Sequence, residues 1–310
     1  MNNDLKLIVG WLMSKLRLGL EWFLNPDHVP LLVGLEQGWF ADVGLDLELV
    51  EPSEHVDAIA ELQAGTLDIA VTEPVHLVED RGKGHAVVGW ARFLHTNGGV
   101  MYFTGRGIER PKDMVGKRLQ YPSAPSALGR AIAKTMIEAD GGDFTEDAIT
   151  SVDNGFLHTD ALVEDKADLA TLVFYNFEVI EARQRGYDAQ FFALKDWGIP
   201  DFCQLILIAT PELLQQRRQD LQAFLNILRR GIDFIHQHPQ AAQAIYDQRT
   251  GAYAGDQTGQ AIYDATISCF THDFSMSADY YDCLQAWMHN TGQIPQCLSA
   301  NDYWTNALAL

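Results

Sequence analysis

Apolar and polar residues alternate along Lys15-Leu16-Arg17-Leu18-Gly19-Leu20 and again along Leu45-Asp46-Leu47-Glu48-Leu49-Val50. A two-residue period buries one face of a segment and wets the other, so both stretches read as β-strands. Between them, residues 31–38 hold apolar side chains at helical spacing and stop at Gly38, a natural helix end. After a turn at Pro52-Ser53, residues 57–63 form a short amphipathic helix ended by Gly65. Residues 67–71 are a buried strand, and 75–83 are the next helix.

A similar series recurs downstream. Residues 131–139 are helical, 148–152 a strand, 159–166 a helix and 168–173 a strand. The pieces Asp57-Ala58-Ile59 through Asp68-Ile69-Ala70 match Asp160-Ala161-Leu162 through Asp168-Leu169-Ala170 in order and type. A β-α unit that occurs twice predicts two similar α/β lobes with mostly parallel sheets. Between the units, residues 88–93, 99–103 and 118–121 are strand-like; residues 205–209 follow them, and from Pro211 onward only helical patterns remain. That tail is expected to pack back on the first lobe. The expected division is 14–103 for the first part of lobe I, 104–203 for lobe II and 204–310 for the return, with crossovers near 103–106 and 198–205. Residues 1–12 precede the first strand signal and read as a dispensable extension.

With 310 residues, the chain is long enough for about two such lobes. Its 22 basic and 42 acidic residues leave a formal charge of −20, which repels nucleic acid and anionic membrane surfaces. The apolar run at 7–13 is far shorter than the roughly 20 residues a membrane span needs. Asp4 and Lys6 before it, and no small-residue cleavage site after it, make a poor signal peptide. A cytoplasmic protein is therefore expected, or a periplasmic one if the true N-terminus differs. Cys203, Cys269, Cys283 and Cys297 have no zinc spacing and read as free thiols. His236 and His238 point apart on a helix, so no metal site is expected. Neither a phosphate-binding glycine loop nor a nucleophile elbow is present.

Candidate chemistry sits where strands end. Pro26 and Pro30 stop any ladder after the first strand, leaving a loop with Trp22, Asn25, Asp27 and His28. In open α/β sheets, ligands bind outside the carboxyl ends of strands. A flat indole, an amide and an imidazole suit a planar heterocycle. Thr72, Glu73 and His76 follow the next strand, and Tyr175, Asn176 and Glu178 follow its second-lobe counterpart. A carboxylate such as Glu178 can accept from an exocyclic amine and a protonated ring nitrogen together. Ser123 and Ser126 begin a helix, where they either cap it or bind an anion. Arg92, His95 and Asn97 surround the Gly98-Gly99 turn. Trp197 and Phe202 lie on the return crossover and are candidates for the other cleft wall.

The stretch EWFLNPDHVPLLVGLEQGWFADVGLDLELVEP is similar to the start of the THI5/NMT1-like family. The pieces ELQAGTLDIAVTEPVHLVEDRGKGH, GIERPKDMVGKRLQYP and KADLATLVFYNFEVIEARQRG support the resemblance in family order, together covering most of residues 14–210. It implies a two-lobed periplasmic-binding-protein fold of type II with a ligand in the interlobe cleft. It also implies recognition of a thiamin-precursor aminopyrimidine, with Trp22 and Asn25 carried over as ligand residues. An ABC permease is the partner implied for transport-type members. The family's alternative role is a pyrimidine-phosphate synthase; a sulfonate or nitrate binder is a weaker one. The synthase lysine that holds pyridoxal phosphate is matched by Thr72 and its following histidine by His76, and the synthase cysteine run shrinks to Cys203 in Pro200-Asp201-Phe202-Cys203. No cofactor is expected, and the reading leans toward a binding protein.

Overall fold

The computed structural model describes residues 13–52, 58–251 and 255–309. The expected extension at 1–12 and the helix start at Asp57 lie outside the described residues. The chain begins with β1 (Ser14–Gly19), a 3-10 turn at Pro26–His28, α1 (Val29–Glu36), α2 (Trp39–Asp42) and β2 (Leu45–Val50). There follow α3 (Ala58–Ala64), β3 (Ile69–Thr72), α4 (Pro74–Gly82), β4 (Val88–His95), β5 (Gly98–Phe103) and β6 (Lys117–Gln120). The second unit holds α5 (Ala127–Ala139), β7 (Ile149–Val152), α6 (His158–Val163), β8 (Leu169–Phe174), α7 (Ile180–Gln184) and β9 (Ala189–Ala193). After β10 (Gln204–Ala209) come α8 (Pro211–Gln216), α9 (Arg218–Gln237), α10 (Pro239–Thr250), α11 (Gln257–Ile267) and α12 (Ala278–Asn290).

Two five-stranded sheets form, in the orders β2-β1-β3-β10-β4 and β7-β6-β8-β5-β9. In the first, β10 runs antiparallel to β3 and β4; in the second, β5 runs antiparallel to β8 and β9. The remaining pairs are parallel. The repeated unit is carried in side chains as well as topology. The Arg17 backbone N–H and Nε both donate to Asp68 Oδ2, at 2.8 and 2.9 Å, and Nη2 donates to Oδ1 at 3.2 Å. Arg118 repeats this on Asp168 at 2.8, 3.1 and 2.8 Å. In each lobe one aspartate thus fixes the register of two parallel strands, β1 with β3 and β6 with β8.

The first crossover is earlier than the sequence suggests. The chain changes sheet between His95 and Gly98, not at 103–106, because β5 belongs to the second sheet. β5 is buried along its whole length and β4 along most of it, and only the short polar stretch His95-Thr96-Asn97 with the glycine pair after it marks the change. A Cβ on Gly98 would collide with Cys203 Sγ, and one on Gly99 with the Phe192 carbonyl. The return runs from Ala193 to Gln204. β9 pairs along β5 where no strand was expected, since its Ala-Gln-Phe-Phe-Ala pattern does not alternate cleanly.

The helical tail packs back on lobe I. Helix α9 lies against α1, and Gly231 makes the approach possible, because a Cβ there would collide with the Pro30 carbonyl. Gly231→Ala should therefore cost about 1–3 kcal/mol, as overpacking does; a urea midpoint equal to that of the parent would mean that the contact is loose. The tail also reaches lobe II: Trp287 Nε1–H on α12 donates to Thr135 Oγ1 on α5 at 3.0 Å. Trp287 stacks on Phe202 of the return crossover, so one core runs from lobe to lobe behind the hinge.

Candidate functional site: carboxyl groups across the cleft

The C-terminal ends of β1 and β3 face those of β6 and β8 across the gap between lobes. From lobe I, the Pro26–His28 turn is set by Asn25. Its Oδ1 accepts the Asp27 N–H at 2.8 Å, and its Nδ2 donates to the Phe23 carbonyl at 3.0 Å. Asn25 N–H donates to His28 Nδ1 at 3.3 Å, which leaves the imidazole proton on Nε2, facing Glu21 Oε2 at 3.1 Å. Burial lowers the affinity of His28 for a second proton, but Glu21 outweighs it and the net direction is up. Asn25, expected as a ligand residue, is fully buried as a cap with its amide engaged on both ends. His28 likewise faces Glu21.

Around this turn lies a set of acids. Burial raises Asp27 to about 7, with the Glu21 charge adding to the rise and His28 opposing it. Glu73, at the N-terminus of α4, is raised to about 8 by burial, then by Glu21 and by Glu178 from the opposite lobe. Glu178, in the wide helical turn Tyr175–Val179, is also raised to about 8. Burial is again the main cause; its own backbone N–H and that of Phe174 oppose it, and Glu181 and Asp27 add to it. The Phe174 N–H donates to Glu178 Oε2 at 2.9 Å. Near neutral pH Glu73 and Glu178 hold protons and can donate as well as accept, and Asp27 does so below about pH 7. The buried Asp27 Oδ1 and Asn176 Oδ1 have no hydrogen-bond partner, so two further acceptors here await donors.

Trp22 reaches the opposite lobe. Its ring lies 5.8 Å from Phe177 and 6.1 Å from Phe156, both of lobe II. The loop bearing Phe156 is held by Gln120, which donates from Nε2 to the Gly155 carbonyl at 2.7 Å and faces His158 Nδ1 through Oε1 at 2.7 Å. Burial lowers His158 to about 4, so it is neutral and Nδ1 donates.

The other expected site residues have different placements. Thr72 Oγ1 lies 3.4 Å from Nδ1 of the exposed His76, at the cleft end of β3. Asn176 donates to Thr266 Oγ1 on α11 at 2.8 Å, tying lobe II to the tail. Tyr175 packs half-buried on the lobe II core, its ring against Phe191 and its hydroxyl accepting from Arg183 at 2.9 Å. Trp197 packs on Phe192 in the lobe II core instead of lining the cleft. Ser123 is exposed with a left-handed φ of 60°, and Ser126 precedes α5 without a side-chain cap bond. Glu21, Phe156 and Phe177 were not singled out from the sequence. Glu21 stands in the opening motif itself, whereas Phe156 has no local signal. A surface hollow of about 490 Å³ lined by Lys15, Asp46 and Glu48 lies on the edge strand β2, away from these acids.

A sequence profile described as NMT1/THI5 like matches residues 25–242. The chain belongs to the NMT1/THI5-like family. Among its relatives is the formylaminopyrimidine-binding protein of Halalkalibacterium halodurans, 29% identical over 72% of this chain and 67% of that one. The 4-amino-5-hydroxymethyl-2-methylpyrimidine phosphate synthase of Legionella pneumophila is 28% identical over 76% of this chain and 74% of its own length. Among solved structures, the periplasmic aliphatic sulphonate binding protein SsuA of Escherichia coli superposes with a TM-score of 0.72 at 11% identity, over 94% of this chain and 92% of that one. The CA3427 gene product of Candida albicans, described as having the generic periplasmic binding protein fold, has a TM-score of 0.67 at 14% identity, over 94% and 96%. The NMT1/THI5-like chain therefore has the two-lobed α/β periplasmic-binding-protein fold expected of it. Among the described residues, no helix is long and apolar enough to cross a membrane.

Proposed function

We propose that the protein binds a neutral or cationic aminopyrimidine, a precursor of thiamin, in the cleft between its lobes. The observation that carries this reading is the pair Glu73 and Glu178, acids from opposite lobes that burial keeps protonated, with the Glu178 charge adding to the rise at Glu73, while Trp22 packs on Phe177, the neighbour of Glu178. A neutral carboxylic acid donates through its O–H and accepts through its carbonyl. An amidine edge, a ring nitrogen beside an exocyclic amine, presents the complementary pair. With the proton on the ring instead, the same contact becomes a charge-assisted bidentate bond. The Trp22 indole supplies a face for the ring. The name of the Halalkalibacterium halodurans relative supports this class of ligand.

A sulfonate is disfavoured despite the fold it shares with SsuA. It offers acceptors and a negative charge to a site already crowded with acids. The synthase reading lacks its lysine, since Thr72 stands in that place. Delivery of the ligand to an ABC permease fits the fold class and belongs to the proposal.

Calorimetry with a panel of aminopyrimidines, and with taurine as the sulfonate control, tests the reading. Glu178→Gln keeps the shape and a donor–acceptor pair but cannot pass a proton to the ring, so it should cost about 1.5–3 kcal/mol for a ligand bound as the charge-assisted pair. Binding of taurine without any pyrimidine would sink the proposal. Pyrimidine binding untouched by Glu178→Gln would move the site elsewhere in the cleft.

A further inference from the structure

A second cavity, of about 270 Å³, lies beside the hinge and shares none of the cleft acids. It is lined by Arg92 and His95 of β4, Gln204 of β10, Ser275, Ser277 and Tyr281. Arg92 is the unusual member. In a chain with 42 acidic residues, the half-buried arginines Arg17 and Arg118 of the sheets are paired with carboxylates. Among the described residues, Arg92 has no carboxylate within ion-pair distance. Its one hydrogen bond, from Nη2 to the Asp273 carbonyl, is long at 3.5 Å. Its Nε is buried without a partner, and so is the hydroxyl of Tyr281. Both atoms are donors. Buried donors without partners are costly, and an arginine in this state suits an anion.

The surroundings narrow the charge of that anion. Asp273 also borders the cavity, and its carboxylate is held ionised by bonds from the Ser275 N–H at 3.0 Å and the Ser275 hydroxyl at 2.5 Å. A dianion would meet this charge, whereas a single carboxylate can lie on Arg92 and Tyr281 with its apolar end toward Met276. The cavity also touches both crossing segments. His95 Nε2 is 3.4 Å from Asp201 Oδ2, and the Tyr280 hydroxyl donates to the Asp201 carbonyl at 3.1 Å. Asp201 Oδ1 in turn accepts the N–H groups of Gly98 and Cys203, each at 3.3 Å.

We propose that this cavity is a second ligand site, for a small monocarboxylate, seated against the hinge and separate from the cleft.

The test uses the full chain with sodium acetate and sodium propionate, against sodium chloride and sodium sulfate at equal ionic strength, read by thermal unfolding and calorimetry. A saturable rise in Tm with the carboxylates alone is expected. Arg92→Gln should weaken it at least about tenfold, since a charged hydrogen-bond partner is lost. Tyr281→Phe, which removes only a hydroxyl, should weaken it too and decides the matter if Arg92→Gln does not fold. Trp22→Ala should leave it unchanged, which separates this site from the cleft. No saturable carboxylate effect, an effect indifferent to both hinge-site variants, or one lost in Trp22→Ala would each overturn the proposal, and none of them bears on pyrimidine binding.

Discussion

The unliganded protein should lose folding stability steadily as pH rises from about 4 to about 8. Asp27 and Glu178 keep their protons in the folded chain up to about 7 and about 8, whereas an unfolded chain releases them near ordinary carboxylate values. Through that interval the folded state binds more protons, so stability falls with pH, and above the folded values the difference is complete. Each such group contributes up to about 1.4 kcal/mol per pH unit while the two states differ. Glu73 acts in the same direction but is more exposed, and solvent screening reduces its share. His158 acts oppositely between about pH 4 and 6.5, because burial keeps it neutral in the folded chain, and offsets part of the fall there. The arginine clamps also act oppositely. Hydrogen bonds from Arg118 hold Asp168 below its ordinary value, and those from Arg17 outweigh burial at Asp68, so their contribution is lost only as pH falls below about 4. Urea unfolding at pH 4.5, 6 and 8 checks this. Glu178→Gln should flatten the slope. A midpoint that holds steady or rises toward pH 8 would show that the acids are ionised throughout.

Trp22→Ala should reduce aminopyrimidine affinity by about a hundredfold or more. Stacking on a flat base contributes roughly 1–3 kcal/mol. The ring pairs with Phe156 and Phe177 hold the closed arrangement, and each contributes about 0.5–1.5 kcal/mol beyond its buried area. The lost closure separates this effect from simple stacking. Trp22→Phe restores a face for the ligand with less reach to lobe II, and should recover part of the affinity. Calorimetry on the three proteins, with small-angle scattering to follow closure, reads both quantities. An alanine variant with parent affinity would remove Trp22 from the site.

The repeat of Asp-Ile-Ala and Asp-Leu-Ala was legible because a strand and its following helix are local. Their apolar spacing dictates them, and the same short segment brings the clamping aspartate with it. The loop Glu21–Pro30 was equally legible as a strand-end turn, since prolines interrupt any ladder whatever surrounds them. What the individual candidate residues do was not legible. Asn25, Trp197 and Tyr175 have the right chemistry for a ligand, yet the first caps a turn and the other two pack on the lobe II core. The direction of a side chain depends on the register of a helix turn or strand against its neighbours, which residue type does not specify. The change of sheet at Thr96-Asn97 was not legible for a related reason: three polar residues and a glycine pair between two strands fit a hairpin turn as well as a crossover, and strand partners are decided by the rest of the fold.

The acids show the division most clearly. Sequence alone placed Asp27, Glu73 and Glu178 in the stretches that follow strands in two like units. Only the tertiary structure turned those ends toward one another, and only burial between two lobes makes a carboxyl group keep its proton near neutral pH. Desolvation belongs to the space a group occupies, and that space is made by residues more than a hundred positions away in the chain.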